Sequence, residues 1–260
     1  NKECMLVSTL YAPKLYELLY QPDKELFKKE YEKVRDDTSI PKTITTARKV
    51  LFSVLRESVE TRQYEHFTDE MNRNTPFKDK IYSSNLCQEV ALPTKSFNKG
   101  VEELFNPESE GEIATCNLMG INVATINLDD TLYEKACYYS LLMIMLKIKH
   151  GSYPFPSMKN TSINRMNAGV SIISLAHLMA KQGLKYSSLF GKKLIHRVAE
   201  THSYFLHKSA LRIGKEYGNA RWIDRTRYPD GWFPVDTRNR NVESISYQPL
   251  KRDWESLRKE

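Results

Sequence analysis

Apolar positions recur with helical spacing over the first part of the chain. Helices are predicted over 13–20, where a proline opens the helix, and over 24–35, where Asp23 can cap the first turn. A third helix is predicted over 46–61, because Val and Leu recur there every three or four positions. The pattern therefore predicts a helical lead-in over about residues 1–75.

The middle of the chain changes period. Residues 79–91 and 112–128 are rich in β-branched and alternating positions, which favour extended backbone. Between them, residues 95–111 contain many Asn, Glu, Pro and Ser residues and are predicted to form a loop. We therefore predict a region of strands and loops over about residues 76–128.

The remaining section, about 129–260, is predicted to be helical again. Thr131 and Glu134 match a capping box ahead of an apolar helix, and Gly218 can end the longest helix. Asp253 can cap a short last helix. The three main helices in this section are predicted over 133–149, 171–181 and 192–217.

Long helices that alternate with few strands indicate the α/β class. The 260 residues are 40% hydrophobic and include 15 Tyr, 10 Phe and 3 Trp, which excludes intrinsic disorder as the main state. No uncharged apolar run approaches the roughly 18 residues of a membrane helix. We therefore expect a folded protein with no membrane partner.

The charge pattern is mixed. The chain has 39 Lys and Arg against 32 Asp and Glu, a net charge of +7, and short basic pairs stand apart from one another. This indicates a solvated basic surface that tolerates anionic small molecules. A nucleic-acid-binding domain, the alternative, would need a clustered basic face with interleaved aromatic residues, which the sequence lacks, so no DNA or RNA partner is expected.

Four cysteines occur, at Cys4, Cys87, Cys116 and Cys137. None forms a CxxC pair, and no Cys/His cluster has zinc spacing, so no metal site is predicted. Free thiols are typical of a reducing compartment, and we expect the protein to be cytoplasmic.

One segment carries a row of chemically active side chains. In an extended chain, alternate residues share a face, so Asn85, Cys87 and Glu89 are predicted to point the same way. Leu86 and Val90, on the other face, can anchor the segment on a core. An amide, a thiol and a carboxylate in a row suit a hydroxylated substrate.

The cysteine of this row has three interpretations. Cys87 can be a small buried hydrophobe, as an isolated Cys in a strand often is. A thiolate nucleophile usually needs a nearby His or a helix N-terminus. A neighbouring carboxylate instead disfavours the thiolate, which points to a neutral thiol that does hydrogen-atom chemistry.

The residues around this row resemble a known family. Residues 84–94, SNLCQEVALPT, resemble the active-site finger loop of the large, catalytic subunit of class I ribonucleotide reductase. Further similar segments follow in the family's order: 112–118 (EIATCNL), 153–156 (YPFP), 231–237 (GWFPVDT) and 249–258 (PLKRDWESLR).

The resemblance implies a fold and an activity. It implies that residues 1–260 form part of a ten-stranded α/β barrel, with many long helices and an internal finger loop that carries the active-site cysteine. The implied activity is that of a ribonucleoside-diphosphate reductase, which converts ribonucleotides to deoxyribonucleotides by thiyl-radical chemistry. The alternative is a non-catalytic structural or regulatory relative of the barrel.

The resemblance also implies roles for individual residues. Cys87 matches the residue that becomes a thiyl radical and abstracts the 3′ hydrogen, and Glu89 matches the carboxylate that takes the 3′-hydroxyl proton. Asn85 matches the amide that holds the sugar hydroxyls, and Cys116 matches one of two redox cysteines. Cys4 and Cys137 match no family role and are interpreted as structural. The residues expected to contact substrate are Asn85, Leu86, Cys87, Gln88 and Glu89.

Partners follow from the same resemblance. A separate metal-containing small subunit would supply the radical, a thioredoxin- or glutaredoxin-like protein would supply electrons, and nucleotide effectors would bind in segments that this chain lacks. No cofactor is expected in the chain itself. We expect the chain to be inactive without the remaining segments of the large subunit.

Overall fold

The computed structural model describes residues 3–7, 10–18, 23–61, 68–237 and 249–260. The chain divides into two compact units, Asn1–His66 and Phe67–Glu260.

The first unit combines a small sheet with helices. Strands β1 (Glu3–Val7) and β2 (Lys42–Thr46) pair antiparallel, with Glu3 opposite Thr46. The helices are α1 (Pro13–Leu18), α2 (Lys24–Asp36) and α3 (Ala47–Glu60). The predicted helices of this region are present, but the prediction missed both strands.

Helix ends in the first unit follow their capping residues. The Asp23 side chain accepts a hydrogen bond from the Leu26 amide at 2.9 Å, as predicted. The Thr46 hydroxyl caps α3, and the predicted helix 46–61 is confirmed to within one residue at each end. The prediction for the end of the first helix and for Pro22 lies outside the described residues. A small core of Ala12, Leu15 and Val34 packs beneath α2.

Two long helices form the scaffold of the second unit. Helices α6 (Asp130–His150) and α9 (Leu189–Tyr217) pack against each other and against a parallel pair of strands. These strands, β3 (Leu118–Asn122) and β4 (Gly169–Ile173), pair with Leu118 opposite Gly169. The connection from β3 to β4 passes through helices, as a parallel pair requires. The shorter helices are α4 (Thr68–Arg73), α5 (Val123–Ile126), α7 (Pro156–Arg165), α8 (Leu175–Lys181) and α10 (Trp254–Lys259).

Apolar and aromatic side chains fill the space between these elements. Val123, Tyr133, Cys137 and Leu178 are completely buried in one cluster. His202 of α9 contacts two other elements through its ring nitrogens. Its Nδ1 lies 3.0 Å from the Tyr133 hydroxyl of α6, and its Nε2 lies 2.7 Å from the Val170 carbonyl oxygen of β4. The core thus joins α6, α9 and β4.

Several predicted boundaries in the second unit are wrong. The extended stretch 112–128 forms a strand only at β3, since the Asn122 side chain accepts from the amides of Ala124 and Thr125 and starts α5. The predicted helix 171–181 begins with strand β4, so that only α8 is helical.

The start of α6 and the residues after it also differ from the prediction. Asp129, rather than the Thr131 and Glu134 pair, caps α6, because its carboxylate accepts from the Leu132 amide at 2.9 Å. Helix α7 was not predicted, although Pro156 opens it at the position that proline favours. The Gly218 end of α9 and the Asp253 cap of α10 are confirmed.

The mixed helix and sheet content confirms the α/β class. The described residues contain two two-stranded sheets and no helix long and apolar enough to cross a membrane. Short 3-10 helices occupy Val101–Phe105, within the predicted loop 95–111, and Ile223–Arg225, Tyr228–Asp230 and Pro234–Thr237 near the end of the chain.

Candidate active site

The segment that carries Cys87 is a closed turn. The Asn85 amide donates to the Val90 carbonyl and the Gln88 amide donates to the Asn85 carbonyl, each at 3.1 Å. The Asn85 side-chain oxygen also accepts from the Val90 amide at 3.2 Å. Gln88 adopts a left-handed conformation with φ 63°. The prediction of extended backbone over 79–91 is therefore wrong at residues 85–90.

The turn changes what the sequence pattern implied for its residues. Alternation along a strand no longer places Asn85, Cys87 and Glu89 on one face, because the backbone reverses between them. Leu86 is 96% exposed, so the prediction that it anchors the segment on a core is also wrong. Cys87 is exposed at the tip of the turn.

Polar contacts on both sides hold the Cys116 segment. The Thr115 hydroxyl lies 2.8 Å from the Ser162 hydroxyl of α7. The Asn117 carbonyl accepts from the Gly169 amide at 2.9 Å, at the start of β4. Because both neighbours point into the protein, Cys116 between them remains exposed. Sequence analysis missed Thr115 and Ser162, whose contact spans 47 positions.

The two thiol segments meet through Glu89. The Cys116 thiol donates to Glu89 Oε1 across 3.8 Å, although the residues are 27 positions apart. Glu89 lies two positions after Cys87 in the turn. The structure thus brings Cys116 to the turn that carries Cys87 and Glu89, while the Asn85 side-chain oxygen is engaged within the turn.

The surroundings of Cys116 keep its thiol protonated. Although Cys116 is exposed, its partial burial raises its pKa, and the charge of Glu89 and the hydrogen bond to it raise this pKa further. Lys147 of α6 acts in the opposite direction. A protonated thiol beside a carboxylate can exchange protons and donate a hydrogen atom, whereas it is a poor ionic nucleophile.

A partly buried ion cluster joins the residues that precede the two thiols in the chain. Arg165 of α7 lies 2.6 Å from Glu112 Oε2 and 2.9 Å from Asp79 Oδ2. Arg225 lies 2.8 Å from the other Glu112 oxygen and 2.8 Å from the same Asp79 oxygen. Both guanidinium groups also lie over the ring of Trp222, at 5.3 and 4.4 Å from its centroid. Sequence analysis assigned no role to these residues.

A cavity of about 970 Å³ borders the end of the turn. Val90, Ala91 and Leu92 contribute to its wall, together with residues of α6 and α9. Its volume is within the range of small-molecule sites. Cys87, Glu89 and Cys116 do not line it.

The other cysteines lie away from this site. Cys137 is completely buried in α6, and burial raises its pKa to about 12, which agrees with a structural role. The side chain of Cys4 lies outside the described residues. Across the part of the chain that the structure describes, no group of three His, Cys, Asp or Glu side chains has the arrangement of a metal site.

Comparison with known proteins identifies the family. A family model described as "Ribonucleotide reductase, barrel domain" matches residues 2–260. The chain therefore belongs to the ribonucleotide reductase barrel-domain family.

Similar proteins carry the name of a reductase subunit. The ribonucleoside-diphosphate reductase subunit alpha of Haemophilus influenzae is 33% identical over 265 residues, which cover 100% of this chain and 34% of that protein. Subunit alpha of reductase 1 from Escherichia coli is 33% identical and covers 99% of the chain, and that of Enterobacteria phage T4 is 28% identical and covers 97%. The chain spans about a third of the length of these curated relatives.

Proposed function

We propose that this chain forms the thiol site of a ribonucleoside-diphosphate reductase large subunit and reduces ribonucleotides, most simply diphosphates, to deoxyribonucleotides. One observation carries the proposal: Cys116 contacts Glu89 at 3.8 Å, so its thiol meets the turn that carries Cys87 although the contacting residues are 27 positions apart. The names of the relatives supply the reaction.

Each side chain has a step that suits its chemistry. Cys87 as a thiyl radical takes the 3′ hydrogen atom of the ribose, and Glu89 accepts the proton of the 3′-hydroxyl. Asn85 holds the sugar hydroxyls through its amide group, with Leu86 and Gln88 beside the substrate. These roles follow the resemblance of the turn sequence, and the exposed position of Cys87 supports access to a substrate.

Cys116 supplies part of the reducing power. In the proposed reaction, Cys116 and a second cysteine from another segment of the subunit give up two electrons and two protons and form a disulfide. The 2′-hydroxyl leaves as water, and Cys87 returns its hydrogen atom to the 3′ carbon. The raised pKa of Cys116 supports this role, because the thiol carries its proton at neutral pH.

The proposal extends to the fold and the partners. The parallel strands β3 and β4, joined through helices, support a ten-stranded barrel in which the turn 85–90 is the finger loop. A small subunit with a metal centre supplies the radical, a thioredoxin- or glutaredoxin-like protein reduces the disulfide, and nucleotide effectors bind in other segments. A reducing cytoplasmic setting suits this thiol chemistry.

Single-turnover product analysis of the complete reductase tests the proposal. We expect Cys87→Ser to abolish turnover, since a serine O–H bond is too strong to yield the radical readily. We expect Cys116→Ser to allow hydrogen abstraction but to strand the substrate radical, so that free base is released or the enzyme is inactivated.

Cys137→Ala is the matched control, because this cysteine is buried in α6 away from the other two thiols, and it is expected to keep turnover. Circular dichroism checks that each variant is folded. A normal deoxynucleotide yield from Cys87→Ser would contradict the thiyl assignment. Normal multiple turnover by Cys116→Ser would contradict the redox assignment.

A further inference from the structure

We propose that Arg165 and Arg225 are positioning residues that hold the Cys87 segment and the Cys116 segment in one register. Each arginine contacts a carboxylate from both segments: Asp79, which precedes the Cys87 turn, and Glu112, which precedes Cys116. That this arrangement of the two segments serves the reaction rests on the proposed function, but the arrangement itself does not.

The geometry makes the cluster a crosslink between segments. Asp79 is eight positions before Cys87, and Glu112 is four positions before Cys116. The two carboxylates are 33 positions apart, and both arginines bridge them. Two bridging cations therefore fix the spacing between the segments at points that precede both thiols by a few residues.

The backbone reinforces the crosslink on the Arg225 side. The Lys78 amide donates to the Arg225 carbonyl at 3.0 Å, and the Arg227 amide donates to the Pro76 carbonyl at 2.7 Å. Farther along the chain, the Asn72 side chain binds both the amide and the carbonyl of Ile81, each at 2.8 Å. The chain that enters the turn is thus held from Pro76 to Ile81.

Burial and hydrogen bonding fix the geometry of the cluster. Arg165 and Glu112 have side chains only 3% and 4% exposed, so both are desolvated. The positive charges of the two arginines equal the negative charges of the two carboxylates. Glu112 uses a separate oxygen for each arginine. Although burial opposes it, hydrogen bonds from Arg225 and Arg165 hold the pKa of Asp79 below its usual range, so the Asp79 carboxylate stays ionised. Guanidinium groups suit this task because one planar group can bind two partners.

The contact between Cys116 and Glu89 allows a change in the spacing of the two segments to be measured as a change in the pKa of Cys116. If the segments loosen, Cys116 loses its contact with the charge of Glu89, and its thiol pKa falls. The groups that act on Cys116 are Glu89, Cys87 and Lys147, and neither arginine is among them. Loss of a positive charge alone would raise a thiol pKa, so a fall distinguishes loosening from a direct charge effect.

The experiment measures the pH dependence of alkylation at individual cysteines of this chain, with iodoacetamide and peptide mapping by mass spectrometry. We expect Arg225→Gln to lower the pKa of Cys116 by about half a unit, which is about a threefold rise in rate at pH 8. Arg225→Lys keeps the charge but lacks the planar guanidinium that binds two partners through separate nitrogens, and it is expected to give a smaller rise. Cys137 serves as an internal reference in each digest.

Arg252→Gln is the matched control. Arg252 also forms a two-pronged pair, with Asp130 at 2.6 and 2.7 Å, and its side chain is 19% exposed against 30% for Arg225. It contacts neither thiol segment, so this variant is expected to leave the Cys116 profile unchanged.

A double-variant cycle completes the test. Glu89→Gln removes the carboxylate charge directly. It therefore gives the largest change in the pKa of Cys116 that loss of this contact can produce. If Arg225 acts through the Cys116–Glu89 contact, Arg225→Gln changes the pKa of Cys116 less in the Glu89→Gln background than in the parent chain. Fully additive shifts, or a Cys116 profile unchanged in folded Arg225→Gln, would overturn the proposal.

Asp79→Asn provides a second route, because Glu112 keeps both arginines in that variant. It is expected to lower the pKa of Cys116, as Arg225→Gln does. If both variants lose native circular dichroism, the cluster maintains the whole unit rather than the register, and the proposal is wrong. Because alkylation needs no turnover, a reductase that fails the Cys87→Ser test would leave this result standing.

Discussion

The scaffold and the thiol site of the second unit are held by different kinds of contact. In the scaffold, α6, α9, β3 and β4 enclose side chains such as Tyr133 and Val198 that are 0% and 1% exposed. In the thiol site, residues 79–117 contain no α-helix and no strand, and their one isolated bridge pairs Lys95 with Glu112. Polar bonds such as that between Thr115 and Ser162 fix these residues. The scaffold therefore derives its stability from apolar burial, whereas the site derives its geometry from hydrogen bonds and ion pairs.

The difference bears on what each region can tolerate. Apolar packing is non-directional, so it stabilises without fixing the position of one atom closely. Hydrogen bonds and bridged ion pairs are directional but add little net stability. A site that must hold a thiol within hydrogen-bond distance of a carboxylate needs the second kind of contact, and a scaffold that must stay folded needs the first.

The largest effect is expected in the scaffold. Leu178→Ala removes a completely buried side chain of α8 from the core cluster that contains Tyr133 and Val198. We expect the free energy of unfolding to fall by about 2–5 kcal/mol, from lost burial and the cavity left behind. Urea unfolding followed by circular dichroism measures it. A loss below about 1 kcal/mol would show that apolar burial does not dominate the scaffold.

Sequence patterns predicted the scaffold better than the site, for a physical reason. Helical periodicity located α9 to within three residues at its start, where the Ser188 hydroxyl caps the helix by accepting from the Gly191 amide at 3.0 Å. Periodicity failed for β4, because a strand of five residues next to α8 is too short to distinguish from a helical turn.

The site was predictable only in part. The candidate residues were named from the motif around Cys87 and from the segment of Cys116, and the structure places the Cys116 thiol 3.8 Å from Glu89. The contacts that build the site were not predictable, since Arg165 reaches Asp79 across 86 positions and Arg225 reaches Glu112 across 113. No spacing rule relates residues so far apart. The closed turn was missed because the Asn85 side chain replaces a backbone partner that a strand would have provided.

A smaller effect is expected on acidification, through one polar contact inside the scaffold. Burial lowers the pKa of His202, so the unfolded chain binds a proton at a higher pH than the folded chain. Stability from this residue is complete above its unfolded pKa, near 6.5, and is lost as the pH falls towards the folded value.

Urea unfolding at pH 7, 6 and 5 measures this loss. We expect His202→Gln to weaken the dependence on pH, because glutamine keeps a hydrogen-bonding side chain but does not titrate in this range. His150→Gln, at an exposed position at the end of α6, is the matched control and should follow the parent chain. An unchanged pH dependence in His202→Gln would show that other groups account for the acid sensitivity.

The smallest effect is expected at the tip of the turn. Leu86 is 96% exposed, and the turn is closed by the contacts of Asn85 with Val90 rather than by apolar packing. Leu86→Ala should therefore change the free energy of unfolding by no more than about 0.5 kcal/mol, although it removes a large apolar side chain. The alkylation rate of Cys116 should also stay unchanged, because Leu86 takes no part in its contact with Glu89. Urea unfolding and peptide mapping measure the two quantities on the same sample. A loss above about 1 kcal/mol would show that Leu86 packs against the protein, and that the site shares the apolar stabilisation of the scaffold.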